Sequence, residues 1–166
     1  MNPWENEPDN KQWEAHGYRC EIKRVKSSGH LCGYVTIPDS HPWFGLSFGD
    51  DVTPISEPDM EHCSVIGAFC HALKDENEKT PGMVGMDIAI AVHGGITFGE
   101  NPGYGWTLGF DCAHDRDLCP VRDAWFAERG FGSDAGTSIY RDIDYVTRET
   151  ESLAAQLKQV AERGTR

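Results

Sequence analysis

The sequence predicts an α+β domain in which an antiparallel or mixed sheet packs against a long C-terminal helix and one or two shorter helices. Three observations predict this class: a hairpin pattern near the start of the chain, two β-prone runs in its middle, and an uninterrupted helical stripe at its end. The length of 166 residues fits one domain, since domains usually have roughly 100 to 200 residues. We therefore predict a single domain over 1–166, made of an N-terminal arm (1–17), a mixed core (18–138, with strands in 18–37 and 86–110) and a C-terminal helix (139–163).

The hairpin pattern consists of two β-prone runs, Tyr18–Lys26 and Leu31–Ile37, joined by the turn Ser27–His30. The first run alternates apolar and polar side chains, which is typical of a half-buried strand. Pro38 stops the second run, because proline cannot donate a hydrogen bond to a β ladder. The residues 1–15 are polar apart from two tryptophans, so they are predicted to form an arm that the tryptophans hold in place.

The two central runs both end in titratable side chains. Met86–Val92 is largely apolar, so it is predicted to be a strand buried on both faces, and it leads into His93-Gly94-Gly95. Tyr104–Phe110 is aromatic and β-prone. The second run is followed by Asp111, Cys112, His114, Asp115 and Asp117. Side chains at the end of a strand are held by the sheet and open onto a loop, which suits a site that must be both rigid and accessible.

Three segments have helical patterns. Met60–Leu73 places apolar side chains near one helical face, and Pro120–Arg129 begins with a proline and precedes a glycine. From Ile139 onward, apolar residues recur in steps of four and three, which predicts one long amphipathic helix. Ser138 is predicted to cap the start of that helix, and Gly164 is predicted to follow its end.

The charge and composition exclude some classes of protein. The chain has 15 Lys and Arg residues against 27 Asp and Glu residues, a net charge of −12, which disfavours binding in a nucleic-acid groove. No run of about 18 apolar residues and no secretory signal is present, so a cytoplasmic location and no membrane contact are expected. The six cysteines are then expected to be reduced.

Five side chains near predicted strand ends form the candidate centre: His41, His93, Asp111, His114 and Asp117. Imidazole and carboxylate groups together suit a divalent ion such as zinc or manganese, and a bound metal lowers the pKa of water towards ~7. We predict His93, Asp111 and His114 as metal ligands and Asp117 as the base that orients a water molecule, so these four are the candidate catalytic residues. The alternative is that the aspartates cap turns and that the histidines make structural hydrogen bonds.

Further residues are predicted to contact a ligand. Aromatic faces could stack a flat ligand, the glycine pair could bring backbone N–H groups close to an anion, and residues before the last helix could supply hydroxyl and guanidinium contacts. The predicted ligand-binding residues are His41, Gly94, Gly95, Trp43, Trp106, Tyr140 and Arg141. Each has a plainer interpretation, because aromatic residues also close a core, two glycines also form a tight turn, and an arginine on a helix also forms surface ion pairs.

Cysteine chemistry offers two weaker alternatives. Cys63 with Cys70 and His71, or Cys112 with Cys119, could supply ligands for a structural zinc, although no C-x-x-C motif is present. Cys112 could also act as a nucleophile beside a histidine. An acidic environment would raise the pKa of its thiol and oppose that role.

Five motifs together resemble a family of small proteins encoded by bacteriophages, prophages and actinobacterial genomes. The resemblance spans about Cys20 to Leu157. It implies a phage accessory protein that works in the host cytoplasm, and such proteins often antagonise host defence. The motifs are Gly29–Val35 (GHLCGYV), His41-Pro42, His93–Phe98 (HGGITF), Gly109–His114 (GFDCAH) with Asp117, and Tyr140–Asp142 (YRD) continuing through Tyr145-Val146 to Glu149.

The sequence and the resemblance together give one leading hypothesis and two others. The leading hypothesis is a phage-encoded accessory protein that binds a small polar ligand, such as a nucleotide signal, in the His/Asp pocket and either sequesters it or hydrolyses it with a metal. The second is an acidic inhibitor or nucleic-acid mimic, whose loops at Asp50-Asp51 and Glu57–Glu61 bind the basic groove of a host defence protein. The third is that the histidines are structural and that the protein only forms a homo-oligomer.

Overall fold

The structure is a computed structural model that describes residues 2–55, 69, 72–75, 77, 79–131 and 137–164. After a short 3₁₀ turn at Pro3–Glu5, the described residues include seven strands and three α-helices whose bounds are defined. In chain order these are β1 (Asn10–Ala15), β2 (Tyr18–Arg24), β3 (Leu31–Ile37), β4 (Asp51–Val52), β5 (Val84–Gly85), α1 (Met86–Ala89), β6 (Phe98–Glu100), β7 (Trp106–Asp111), α2 (Pro120–Glu128) and α3 (Ile143–Arg163).

Five strands form one antiparallel sheet in the order β1-β2-β3-β7-β6. The predicted hairpin is its centre, since β2 pairs with β3 and Cys20 lies opposite Val35. Strand β7 pairs antiparallel with β3, so that Ile37 at the end of β3 lies opposite Trp106 at the start of β7. The two-residue strands β4 and β5 pair separately. The predicted α+β class is confirmed.

The long helix α3 covers one face of this sheet. Its buried stripe contains Val146, Thr150, Leu153, Ala154, Leu157 and Val160. The helix crosses directly over Gly33 of β3, where an added Cβ would collide with the Thr150 hydroxyl and the Phe110 ring. Gly33 is therefore a glycine because the helix lies so close to the strand.

The start of α3 differs from the prediction, whereas its end does not. The helix begins at Ile143, and its cap is Asp142, whose Oδ1 accepts a hydrogen bond of 2.8 Å from the Tyr145 backbone. Ser138 does not cap it, because Ile139 instead pairs its backbone with Arg116 and Leu118. The helix ends before Gly164, whose φ of 64° is left-handed, as predicted for a C-terminal glycine.

Two other segments differ from the prediction. The N-terminal arm contains a strand, β1, whose side chains alternate between half-buried and exposed positions, so it is the edge of the sheet. Met86–Val92 is not a strand: it begins as the short helix α1 and continues as an extended segment. The backbone N–H and C=O of Ala91 bond the Gln156 side-chain amide at 3.0 and 2.8 Å, so α3 replaces a neighbouring strand for this segment.

The remaining helix predictions have mixed outcomes. The helix predicted over Pro120–Arg129 is confirmed as α2, and none of its residues is buried. The predicted helix Met60–Leu73 lies almost wholly outside the described residues, as does most of the glycine-rich stretch 130–138. Over the described residues, no helix is both long and apolar enough to cross a membrane.

Candidate metal centre

Three of the predicted site residues converge beyond the end of β7. His93, His114 and Asp117 each offer one potential ligand atom, and these atoms lie within 4.8 Å of one another. The side chain of Asp117 is 1% exposed, that of His93 12% and that of His114 33%. The centre is thus buried on the carboxylate side and open on the side of His114.

A tight turn after β7 supplies two of these side chains. The Asp111 carboxylate accepts a hydrogen bond from the Ala113 backbone at 3.0 Å, and the Asp117 N–H closes the turn by donating to the His114 carbonyl at 3.1 Å. Arg116 lies in the left-handed region with a φ of 65°, which is uncommon for a residue other than glycine. The turn places His114 and Asp117, three residues apart, on the same side.

The Asp117 carboxylate is the hub of the centre. Its Oδ2 accepts hydrogen bonds from His93 Nε2 at 2.7 Å and from the His114 backbone at 3.0 Å, while its Oδ1 accepts one from Arg141 Nε at 2.9 Å. Burial by itself raises the pKa of Asp117, but the interactions with the His114, His93 and Arg141 side chains outweigh burial and hold this pKa well below its usual range. Asp117 is therefore ionised at neutral pH.

The His114 ring is held close to the centre without a hydrogen bond at Nδ1. This atom is buried and has no partner among the described residues. It lies 3.6 Å from Asp117 Oδ2 and 4.0 Å from Asp111 Oδ1. The interaction with Asp117 raises the pKa of His114, burial opposes this shift, and the charge of Asp111 adds to it. A buried nitrogen without a partner, beside a carboxylate, is free to bind an ion.

Helix α3 fixes the orientation of His93. The Tyr145 hydroxyl lies 3.0 Å from His93 Nδ1, and the two rings are perpendicular with centroids 5.5 Å apart. Glu149, one helical turn further along α3, accepts the His93 backbone N–H at 2.9 Å. His93 is therefore held through both its ring and its backbone.

The glycine pair that follows His93 allows a close approach between two segments. Gly94 is left-handed with a φ of 66°, and a Cβ at this position would overlap the His114 ring. The Gly95 N–H donates to the Val92 carbonyl at 2.9 Å, so the pair lies in the tight turn of the plainer interpretation, and Gly94 also approaches another segment closely. The contact is with His114 and positions one of the three potential ligands.

This geometry could hold a metal ion. Neighbouring ligand atoms on a tetrahedral zinc lie about 3.4 Å apart, since zinc bonds to nitrogen and oxygen are about 2.0–2.2 Å long. The His114–Asp117 separation of 3.6 Å is close to this value. The His93–Asp117 pair at 2.7 Å is a hydrogen bond and must open by about 0.7 Å to admit an ion of that size.

The Tyr145 hydroxyl is compatible with both states of His93. Because the Asp117 carboxylate is ionised, His93 Nε2–H donates to it and Nδ1 accepts from the Tyr145 hydroxyl. If Nε2 held a metal, the ring proton would lie on Nδ1, which would then donate to the same hydroxyl. A hydroxyl can act as donor or acceptor, so the outer contact survives the exchange.

Asp111 and Arg141 border the centre. The Asp111 carboxylate is held by Thr97 Oγ1 at 2.9 Å and is 31% exposed, so it lies beside the three potential ligand atoms and not among them. Arg141 forms an ion pair with Asp117, with 2.9 Å between Nε and Oδ1, and its predicted contact with a ligand stays a prediction. The predicted ligand Asp111 thus lies outside the group of three potential ligand atoms, and the predicted base Asp117 lies inside it.

The other predicted ligand contacts lie elsewhere. His41 is 4% exposed, and its Nε2 contacts the Leu157 carbonyl at 2.9 Å. Leu157 is eight residues beyond Glu149 on α3, a distance of about 12 Å along the helix. Trp43 is fully buried in the hydrophobic core. His41 and Trp43 therefore belong to the packing between the sheet and α3.

Trp106 and Tyr140 also point away from the centre. Trp106 lies at the opposite end of β7 from Asp111, and its Nε1 donates to the Leu46 carbonyl at 3.0 Å. The Tyr140 hydroxyl donates to Glu7 and accepts from Arg24, both at 2.7 Å. Tyr140 thereby links the N-terminal residues to the start of α3.

The cysteine alternatives receive no support from the described residues. Cys112 is 1% exposed, and burial raises the pKa of its thiol far above its usual range, which opposes a thiolate nucleophile. The Cys119 thiol is also buried, and burial raises its pKa to about 11. Cys63, Cys70 and His71 lie outside the described residues.

Two residues of the centre were not assigned a role from the sequence. Tyr145 and Glu149 are four residues apart on α3 and face His93 together. Their spacing puts them on one helical face, but nothing in the local sequence shows which segment that face contacts.

No family model, curated protein or solved structure matches the chain in the three comparisons with known proteins. The chemistry of the centre therefore rests on its own residues.

Proposed function

We propose that the protein binds a divalent metal ion through His93, His114 and Asp117 and uses it to hydrolyse a small polar ligand. The observation that carries the proposal is the buried His114 Nδ1, which lies without a hydrogen-bond partner among the described residues, 3.6 Å from the ionised Asp117 carboxylate. Three protein ligands leave one coordination position for water or ligand, as in catalytic zinc sites.

The ligand set favours zinc over manganese. Two imidazoles and one carboxylate form a nitrogen-rich set that suits a four-coordinate zinc ion, whereas manganese prefers more oxygen ligands. A bound zinc would lower the pKa of its water towards ~7, which supplies a nucleophile at neutral pH. The half-open position of His114 gives a ligand access to that water.

We assign Asp111 as the base that accepts a proton from the water at the metal position. Its carboxylate is partly exposed and held in place by Thr97 and the Ala113 backbone. It lies 4.0 Å from His114 Nδ1, so it can accept a proton from water bound at the neighbouring metal position. Asp117 then serves as the ligand, and the predicted roles of the two aspartates are exchanged.

The acidic-inhibitor hypothesis gains no specific support. Asp50 accepts the Ser47 backbone N–H at 2.7 Å, and Asp51 pairs with Lys74 at 2.7 Å, so both carboxylates are engaged within the chain. Glu57–Glu61 lies outside the described residues. The phage origin and the host-defence context remain predictions from the resemblance.

Metal titration tests the first half of the proposal. Zinc is titrated calorimetrically into chelator-treated protein, and His93→Ala, His114→Ala and Asp117→Asn are each expected to weaken binding at least 100-fold. His16→Asn is the matched control, because His16 is exposed and left-handed with a φ of 54°, a conformation that asparagine tolerates. Equal zinc binding in His114→Ala and the control would refute the metal centre.

Turnover tests the second half. Phosphate esters, amides and carboxylate esters are incubated with the zinc-loaded original chain and with the zinc-loaded Asp111→Asn variant. This variant should bind zinc as the original chain does but hydrolyse the substrate about 100-fold more slowly.

Tyr145→Phe removes the hydroxyl that contacts His93 Nδ1 and should weaken zinc binding about 10- to 100-fold. Zinc binding without hydrolysis of any probe would limit the function to metal or ligand binding.

A further inference from the structure

We propose that the ligand of this centre carries a phosphate group and that Arg141 binds it. The inference rests on the proposed function, because it names the chemistry of the ligand that the metal would activate. Arg141 Nε donates to Asp117 Oδ1 at 2.9 Å. Its two Nη atoms make no hydrogen bond to any residue in the described part of the chain. A guanidinium has five N–H donors, so four of them are available to a ligand.

Two neighbours hold the guanidinium in position. Asp117 fixes its Nε, and its plane lies over the Tyr145 ring, with 4.9 Å between the guanidinium carbon and the ring centroid. The side chain is 24% exposed, so it is neither buried nor free in solvent. A guanidinium that is already held in place loses less side-chain entropy when it binds an anion.

One carboxylate connects the guanidinium to the metal position. Asp117 Oδ2 faces the two histidines, while Oδ1 faces Arg141. A zinc ion on Oδ2 would therefore lie within about 7 Å of Arg141 Nε, given a zinc–oxygen bond of about 2.0–2.2 Å. A phosphate spans this distance by placing one oxygen on the metal and others on the Nη groups, the combination that stabilises phosphoryl groups in other sites.

The number of oxygens favours phosphate over carboxylate. Binding one metal and a two-pronged guanidinium at the same time takes three oxygens, which a terminal phosphate has and a carboxylate lacks. The start of α3 offers no competing anion site, because Glu7 and Asp142 already accept its N–H groups from Ile143 and Tyr145. With a net charge of −12 on the chain, a phosphate needs such a local pair of cations.

The test measures binding of inorganic phosphate and of acetate by calorimetry, with and without zinc. The variants are Arg141→Gln, Arg141→Lys and Arg148→Gln. Arg148 is the matched control, since it is exposed and lies over the same Tyr145 ring, at 6.0 Å, without an ion pair to Asp117. Zinc affinity and the melting temperature are recorded for each variant, so that loss of the metal or of the fold is seen separately.

We expect phosphate to bind more tightly than acetate. Arg141→Gln should weaken phosphate binding about 10- to 100-fold. Arg141→Lys should weaken it less, because lysine keeps the charge but lacks the planar pair of donors. Arg148→Gln should change phosphate binding less than threefold. Equal losses in Arg141→Gln and Arg148→Gln, or tighter binding of acetate, would overturn the assignment. Zinc binding without phosphate binding would refute this inference alone. Phosphate binding that needs Arg141 but no zinc would support it even if the metal proposal failed.

Discussion

His41 and His114 both follow a strand of the same sheet, but their ring nitrogens have different partners. In His41, Nδ1 accepts the Trp43 backbone N–H at 3.0 Å, and Nε2 lies 2.9 Å from the Leu157 carbonyl, so both nitrogens are used. In His114, Nδ1 has no partner among the described residues and faces a carboxylate. The first ring joins two elements of the fold, and the second remains available to bind an ion.

The two environments move the pKa in opposite directions. Burial lowers the pKa of His41, which the hydrogen bond to Leu157 only partly opposes. The interaction with Asp117 raises the pKa of His114. A buried histidine is thus structural where both nitrogens have neutral partners, and it is a candidate for chemistry where one nitrogen faces an ionised group.

The largest expected effect that separates the two histidines is on stability. His41→Ala removes two hydrogen bonds and leaves a cavity between β3 and α3, so the free energy of unfolding should fall by about 3 kcal/mol. The melting temperature should fall by roughly 6 to 12 °C. Urea and thermal unfolding measure both, and zinc affinity should change less than threefold. A variant that loses zinc binding but keeps its stability would show that His41 belongs to the centre.

A smaller effect is expected where Gly94 meets His114. Gly94→Ala adds a Cβ that overlaps the His114 ring and must adopt a left-handed conformation, which costs roughly 1–2 kcal/mol. Because His114 is one-third exposed, its ring can swing outward, and zinc affinity should therefore fall about tenfold or more.

Gly82→Ala is the control for Gly94→Ala. Gly82 has a similar left-handed φ of 77°, but a Cβ there would meet nothing within 4 Å. Gly82→Ala should lose only the roughly 1–2 kcal/mol that the left-handed conformation costs in urea unfolding, and it should lose no zinc affinity in calorimetry. If the two variants bind zinc equally, the contact between Gly94 and His114 does not position the ring.

Local periodicity explains which parts of the fold the sequence could predict. The hairpin and α3 follow from patterns within single segments, and Gly164 marks the end of α3 by its own conformational preference. The run Met86–Val92 looks like a buried strand because an apolar extended segment beneath a helix has the same pattern. Its hydrogen bonds go to Gln156 on α3, a partner 65 residues away in the sequence that a local pattern does not contain.

Strand direction explains which parts of the site could be predicted. His93, His114 and Asp117 were chosen because they follow central runs, and they do converge. His41 was chosen for the same reason, but β3 and β7 are antiparallel, so the end of β3 lies beside the start of β7. The segments that follow two neighbouring antiparallel strands therefore leave the sheet at opposite ends of those strands. The predicted sheet was antiparallel or mixed, which left this placement open.

The smallest expected effect is the pH dependence of stability that His41 contributes. The pKa of His41 is lowered from 6.5 in the folded chain, so below about pH 6.5 the unfolded chain takes up a proton that the folded chain resists. His41 therefore contributes its full stability above pH 6.5 and loses it as the pH falls, by at most about 1.4 kcal/mol for each pH unit. Urea unfolding between pH 5 and 8 measures this slope in chelator-treated protein.

His41→Gln removes the titrating ring and leaves the other ionisable groups in place. The difference in unfolding free energy between the original chain and this variant should be constant above pH 7 and should shrink as the pH falls below 6.5. The reason is that only the original chain has a histidine here that stays neutral when folded and becomes protonated when unfolded. All groups common to both proteins cancel in that difference, including the carboxylates around Asp117. Parallel stability curves over the whole range would mean that His41 is protonated equally in both states, and the contrast with His114 would then lie in hydrogen bonding alone.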